Sequence, residues 1–388
     1  MKILIVHNSY GRYSGEEAVV DRMSAMFRSQ GHEVALLRRT TEEARNTMGG
    51  KVRGFFCGLY SPDGVKAMRE ALKRERPDVV NIHNLYPFIS PAALFECRKV
   101  GVPVVMTVHN FRLICPTGLF MRNGQPCELC LQRGNEWGCV QHNCEQSWLK
   151  SIGYAARNAV ARRSGAYRKC VTRFVCITDF QRQKLTEAGF EPERLTVIPN
   201  VVDALESYTP TPGDYVAYLG RVSYEKGYDL LIEVARRHPE IRFRFAGAQR
   251  AQTTETLPNN VELTGYLTGD DLQTFIRQCR FVAMPSRWYE GFPMVILENA
   301  QYGKPTIGPD HGGFTDIIGK GETAIGRLFH PGDVDDLEKQ VVTLWNAPEE
   351  CARLGSKAFE KLTRDYCSKT AARQWATLLE EIVAKKKS

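Results

Sequence analysis

Two consecutive α/β domains, each a doubly wound parallel sheet, are predicted for this chain, and three observations predict them. The 388 residues exceed one domain of ordinary size and suit two. Short β-branched runs alternate along the chain with polar turns and segments of helical period. A stretch with repeated Pro-associated turns and little apolar periodicity, Val201–Asp214, divides that alternation as a linker would.

In the first domain, residues 1–203, the run Lys2–His7 reads as a buried strand. Ser14 then stands as an N-cap three residues before Glu17, so a helix is expected from Glu16 to Gln30, stopping at Gly31. Further strands are expected at Glu33–Leu37, Asp78–Ile82, Val104–Val108, Arg173–Ile177 and Leu195–Ile198, with a helix over Asp63–Arg76. The second domain, residues 214–368, repeats the scheme with strands at Tyr215–Leu219, Arg242–Ala246, Val261–Leu263, Phe281–Met284 and Pro305–Ile307. Its helices are expected at Gly227–His238, Asp270–Cys279 and Met294–Tyr302. Residues 369–388 form a terminal helix, expected to pack back on the first domain, and a basic tail, Lys385 to Lys387.

Composition excludes several classes. Hydrophobic residues at 43% and charged residues at 25% rule out global disorder. No apolar run approaches the ~18 residues of a membrane span, and Ile3–Val6 is too short for a signal-peptide core, so a cytoplasmic protein is expected. The net charge of +8 suits an anionic partner. Twelve cysteines in a long chain without an export signal point to reduced thiols or a metal site.

Ligands of open parallel sheets sit beyond the carboxyl ends of the strands, and the motifs fall there. Gly220-Arg221-Val-Ser-Tyr-Glu-Lys226-Gly227 leaves the first strand of the second domain and enters a helix. Two cations five residues apart at a helix N-terminus suit a diphosphate. After the strand Phe281–Met284, Glu290 and Glu298 stand with seven residues between them, one before the helix and one inside it. His311-Gly312-Gly313 follows another strand, with two glycines that allow close backbone approach to a ligand.

Taken in order, these residues resemble the retaining glycosyltransferases of family 4. Gly15-Glu16 after the first strand, His109 at the end of Val104–Val108, Arg221, Lys226 and the Glu290/Glu298 pair carry the resemblance, which spans nearly the whole chain. It implies the GT-B fold, two Rossmann-like domains facing a cleft, and transfer of a sugar with retention from a nucleotide-diphosphate sugar to a hydroxyl of a glycan or lipid-linked acceptor. By the same resemblance Arg221 and Lys226 bind the diphosphate, Glu298 the ribose, and Glu290 with His109 the transferred sugar. Gly15 borders the donor or the acceptor. Gly265, Tyr266 and Leu267 match the place of base-binding backbone, and Met294, Val295, Gly312 and Gly313 complete the donor side.

Charge developing on the leaving diphosphate is stabilised by preorganised cations, so Arg221 and Lys226 reduce the need for a divalent metal and no catalytic cofactor is expected. The one Asp-x-Asp sequence, Asp333-Val-Asp335, reads as a helix cap rather than a metal ligand. Between Cys115 and Cys144 lies an insert that the family core does not require. Cys127 and Cys130 have the two-residue gap of a zinc knuckle, Cys139 and Cys144 complete a Cys₄ set, and Cys115 or His142 are alternates. Thiols, a disulfide or an iron–sulfur cluster are the other readings of the set. Cys57, Cys97, Cys170, Cys176, Cys279, Cys351 and Cys367 read as ordinary buried thiols.

A helix over Ser147–Lys169 would align Lys150, Arg157 and Arg168 on one face, with Trp148, Ala155, Ala159 and Ala166 opposite. It is either a domain helix with its charges in water or a basic face docking on anionic lipid at the inner face of the membrane. A sugar-nucleotide epimerase of the same fold is a competing activity. A zinc-dependent nucleic-acid binder is disfavoured, because Arg122 and Arg133 in the insert are balanced by Glu128 and Glu136.

Overall fold

The computed structural model describes residues 1–9, 15–41, 48–249 and 257–387. Ser14, the expected N-cap, lies outside them, as do the side chains of Lys385 to Lys387. The chain divides into two compact units, one of residues 1–120, 128–199 and 371–388, the other of residues 121–127 and 200–370.

The first unit is built on a six-stranded sheet in the order β2-β1-β3-β4-β7-β8. Its strands are β1 (Lys2–Ser9), β2 (Glu33–Thr40), β3 (Val79–Asn84), β4 (Val104–Val108), β7 (Arg173–Cys176) and β8 (Leu195–Val197), all paired in parallel. The run Leu4, Val6, Val80, Ile82, Val104 and Met106 is buried against Met68, Leu72, Leu94 and Phe174. Strands covered on both faces need such near-continuous apolar runs. Helix Pro62–Glu75 begins where Ser61 accepts from the amide of Gly64, with Pro62 supplying a fixed φ at the first position. The helix Ser368–Lys387 contributes residues 371 onward to this unit: Trp375 packs edge-on against Phe27, and Gln30 donates to the Ala372 carbonyl at 2.8 Å.

The second unit repeats the architecture in the order β11-β10-β9-β12-β13-β14. Its strands are β9 (Val216–Leu219), β10 (Phe243–Ala246), β11 (Val261–Gly265), β12 (Phe281–Ala283), β13 (Thr306–Pro309) and β14 (Gly326–Phe329), again all parallel. Val216, Tyr218, Phe243 and Phe281 are buried with Leu231, Ile232, Leu337 and Val341. Asp333 caps helix Val334–Trp345, its carboxylate accepting from the amides of Asp335 and Asp336 at 2.9 and 3.0 Å, as the sequence led us to expect.

Three elements depart from the sequence reading. β14 was not expected, since Gly326-Arg-Leu-Phe is too short and mixed to signal a strand. A two-stranded hairpin, β5 (Met121–Arg122) and β6 (Gln125–Pro126), sits inside the cysteine insert and belongs to the second unit. The expected linker is packed rather than loose: Tyr208 lies 4.9 Å from the Phe359 ring, and Lys304 donates to the Thr211 carbonyl at 2.8 Å.

In each sheet the strand order reverses beside the first strand, at β1/β3 and at β9/β12. Those switch points open the crevices in which ligands of such sheets bind.

Candidate active site

In the second unit the crevice is built by two loops tied to each other. Gly220 leaves β9 at φ +143°, and the Tyr218 hydroxyl fixes the turn by donating to the Arg221 carbonyl at 2.6 Å. A single 3₁₀ turn, Tyr224–Lys226, ends at Gly227 in the left-handed conformation, φ +70°. A Cβ there would lie 1.8 Å from the Pro285 carbonyl oxygen, so only glycine lets this loop meet the one after β12. Arg287 closes the junction. Buried, it stacks 4.0 Å over Tyr224, donates to that residue's carbonyl at 2.9 Å and forms a bidentate pair with Asp229 at 2.5 and 2.6 Å.

This frame presents Lys226 and Glu290 to each other. One carboxylate oxygen of Glu290 pairs with the Lys226 ammonium and accepts from Trp288 Nε1 at 2.6 Å and from Ser286 Oγ at 3.0 Å. Burial pushes the Glu290 carboxyl up, but the Lys226 charge and these three hydrogen bonds outweigh it and hold the group below its ordinary value. The Trp288 ring lies 5.1 Å from Lys226 Nζ and 5.7 Å from the Arg221 guanidinium, so one indole ring serves both cations. Arg221 is half-buried, with Glu225 at 3.4 Å. Gly312 and Gly313 allow a close backbone approach to the loop that carries Glu290. The Gly313 amide donates to the Glu290 carbonyl at 2.8 Å, and a Cβ on Gly313 would lie 2.7 Å from the Gly291 carbonyl oxygen. They set the height of Glu290. His311, half-buried beside the Tyr289 ring, is lowered to about 4 by burial against the pull of Glu290.

The other residues expected on the donor side lie at the end of β11 and on helix Met294–Ala300. Gly265 ends β11 at φ +77°, followed by exposed Tyr266 and half-buried Leu267. Met294, Val295 and Glu298 are half-buried on helix Met294–Ala300.

In the first unit Gly15 is exposed at the start of helix Gly15–Ser29, with nothing within 4 Å of where a Cβ would be. His109 follows β4, and the fold brings two further histidines to it. His83 on β3 shares a 2.7 Å hydrogen bond with the His109 ring and stacks on it at 5.0 Å, and His7 on β1 lies edge-on to His83 at 6.4 Å. The carboxylates of Glu16 and Glu17 stand 3.6 Å from the two His7 nitrogens. Burial lowers all three, His109 to about 3, so these rings are neutral over the physiological range. His7 and His83 were missed by the sequence reading, as were Trp288, Ser286 and Arg287. A signal existed for the histidines, since each of β1, β3 and β4 runs into one near its carboxyl end.

The cysteine tetrad is not assembled. Among the described residues no group of three or more His, Cys, Asp or Glu side chains is arranged to hold a metal ion, so the residues do not fit the expected zinc site. Cys127 follows β6 in the second unit, where Gly124 meets the Tyr224 ring so closely that a Cβ would lie 2.4 Å from it, whereas Cys130, Cys139 and Cys144 belong to the first. Cys139 hydrogen-bonds Cys144, and that bond with burial raises its thiol pKa; Cys115 and Cys130 act on it from nearby. Cys115 itself lies 3.2 Å from Thr117 Oγ1, and His142 is half-buried. No disulfide joins the described cysteines, and Cys367 is half-buried where a buried thiol was expected.

The basic face is overturned. Gly165 breaks the helix at φ +70° into Trp148–Ser164 and Ala166–Cys170, so Arg168 falls out of register with Lys150. Arg157 is 8% exposed, its guanidinium 3.9 Å from the Tyr154 ring. Helix Trp148–Ser164 instead exposes Trp148, Leu149, Ile152 and Val160. No helix among the described residues is long and apolar enough to cross a membrane.

Comparison with known proteins agrees with this architecture. Residues 206–361 match the family described as Glycosyl transferases group 1, and residues 13–204 match Glycosyltransferase Family 4. An uncharacterized 42.6 kDa protein in the cps region of Klebsiella pneumoniae is 24% identical, over 91% of this chain and 99% of its own length. The alpha-D-kanosaminyltransferase of Streptomyces kanamyceticus is 25% identical over 81% of this chain and 80% of its own. Among solved structures, Anabaena HepE in complex with UDP superimposes with a TM-score of 0.69 at 17% identity, over 98% of this chain and 100% of that one.

Proposed function

The chain belongs to the family 4 glycosyltransferases and has the GT-B fold, and on that basis we propose that it moves a hexosyl group, with retention, from a nucleotide-diphosphate sugar to a hydroxyl of a glycan or lipid-linked acceptor. The observation that carries the reading is the Lys226–Glu290–Trp288 constellation with Arg221 beside it, at the switch point of the second sheet. In the reaction the bond between the anomeric carbon and the diphosphate oxygen breaks, and its electron pair leaves with the diphosphate. Arg221 and Lys226 stabilise the charge that develops there, in a site where the partners are already oriented. The diphosphate competes with Glu290 for Lys226, which frees the carboxylate to accept from hydroxyls of the transferred sugar. The acceptor hydroxyl attacks from the face that the diphosphate leaves, and its proton passes to an oxygen of the departing diphosphate.

Because both cations come from the protein, transfer should continue in EDTA. A uridine nucleotide is the first donor to test, since HepE was crystallised with UDP and with UDP-glucose. The test is a thermal-shift screen of UDP-, GDP-, ADP- and dTDP-sugars, followed by proton NMR of the sugar first released into water. A raised midpoint with one nucleotide class and release of the α anomer from an α-linked donor are expected. No shift with any of them would remove the donor site, and a β product would remove retention.

We also propose contact with anionic lipid, supported by the exposed apolar side chains of Trp148, Leu149 and Ile152 with Lys150 beside them.

A further inference from the structure

The carboxyl end of β3 carries an irregularity. Along the β1/β3 pair Val6 lies opposite Ile82 and His7 opposite Asn84, so the register passes over His83. A residue inserted in this way bends its strand and re-aims a side chain. His83 Nδ1 lies 2.7 Å from Nε2 of His109, the residue after β4, and the two rings stack at 5.0 Å with 20° between their planes. Buried polar ties hold the strand end in place. Asn84 donates to the Asn8 carbonyl at 2.8 Å and accepts from the Tyr86 amide at 3.0 Å, and Asn8 Oδ1 accepts from the Phe88 amide at 3.1 Å. The histidine pair is therefore built on fixed backbone, and both rings line a recess of about 330 Å³ that leaves room for a bound hydroxyl beside them.

One proton lies between the two rings, and burial decides which ring supplies it. Both histidines are neutral, because burial lowers them, and a neutral imidazole has one N–H and one bare nitrogen. His83 is 4% exposed, and its Nε2 is buried without a hydrogen-bond partner among the described residues. His7, edge-on to it at 6.4 Å, makes no hydrogen bond with it. A proton on His83 Nε2 would strand a donor in a dry place, whereas a bare nitrogen there strands only an acceptor, the better tolerated of the two. The proton of His83 accordingly sits on Nδ1. His109 must then accept with a bare Nε2 and carry its own proton on Nδ1, because the bond made by one ring nitrogen sets the state of the other.

We propose that His83 is the positioning residue of His109: by donating from Nδ1 to His109 Nε2 it holds His109 as the Nδ1–H tautomer, a hydrogen-bond donor for a hydroxyl oxygen of the transferred sugar. The inference rests on the glycosyltransferase reading, in which the family resemblance gives His109 that sugar to contact.

The test is long-range proton–nitrogen NMR of the full chain carrying ¹⁵N-labelled histidine, with the His109 signals assigned by their loss in His109→Asn. It is paired with hydrolysis of UDP-glucose, or of whichever nucleotide sugar raises the wild-type midpoint. In the wild type His109 should show a protonated Nδ1 and a bare Nε2. In His83→Leu both tautomers should appear and hydrolysis should fall about tenfold, the scale of one hydrogen bond, while the midpoint shift given by the free nucleoside diphosphate stays as it was. His83→Asn, whose amide nitrogen stands near the place of Nδ1, should restore the single tautomer and most of the rate. A histidine that served packing alone would leave the tautomer where it was and would not be rescued by asparagine. A bare Nδ1 on His109 in the wild type, an unchanged tautomer and rate in His83→Leu, or an asparagine variant as impaired as the leucine one would overturn the proposal. Lack of any nucleotide response in the wild type would instead remove the donor site, and the tautomer measurement would still decide the pair.

Discussion

The loops after β9 and β12 and the insert 115–144 hold their functional groups in opposite ways. Lys226 and Glu290 are 64 residues apart and share an ion pair, because Gly227, Arg287 and Gly313 tie both loops to one frame. Cys127 and Cys130 are separated by two residues, yet one belongs to the second unit and the other to the first. Proximity in sequence therefore does not by itself arrange a ligand set among the described residues. A polar frame with buried pairs places them from any distance, and it is correspondingly easy to break.

The sharpest way to break the contrast is Arg287→Met. It removes the bidentate partner of half-buried Asp229 together with the stacking on Tyr224, and should cost the second unit about 3 kcal/mol, read by urea unfolding. An insert variant such as Cys130→Ser, half-buried and outside any ligand shell, should cost under about 1 kcal/mol on the same scale. Equal losses would show that the two regions are held alike.

Next in size is Lys226→Ala, which should retain the fold and lose about 10²-fold or more in turnover, equivalent to roughly 2.7 kcal/mol of transition-state stabilisation. Wild-type turnover in this variant and in Arg221→Ala would remove both from the reaction.

Acid should separate the units more gently. Burial keeps His7, His83 and His109 neutral, and a folded pKa below the ordinary 6.5 means that the unfolded chain binds more protons as pH falls. The stability they contribute is whole above about pH 6.5 and declines as pH drops toward about 3. In the second unit His311 acts in the same direction, while His238 opposes it: burial lowers His238, but Glu338 and Glu240 outweigh that and raise it. Urea unfolding at pH 7.5 and 5 should show the first unit losing more, with His109→Asn reducing the loss. A larger loss in the second unit would contradict the assignment.

The smallest effect concerns lipid. Leu149→Gln with Ile152→Gln should reduce cosedimentation with anionic vesicles at low salt by a few-fold, whereas Arg157→Gln should change stability more than lipid binding, because that side chain is buried. Equal vesicle recovery of the wild type and the double variant would return this face to solvent.

The sequence by itself determined the two sheets and most of their strands. Val104–Val108 and Val216–Leu219 were legible because a strand buried between helices must be a short, nearly continuous apolar run bounded by turns. It also placed Arg221, Lys226, Glu290 and His109 just beyond strand ends, where turn chemistry and functional residues coincide. It could not reveal that Trp288 and Ser286 share one oxygen of Glu290 with Lys226, that His7 and His83 gather at His109, or that Arg157 is buried. Each depends on which strands become neighbours, and β1, β3 and β4 are joined only when the sheet closes. Helical periodicity gave Arg157 a face but not what covers it. Tyr86 and Tyr154 do, and Tyr86 comes from the loop after β3, so only the tertiary structure decided whether that charge meets water or protein.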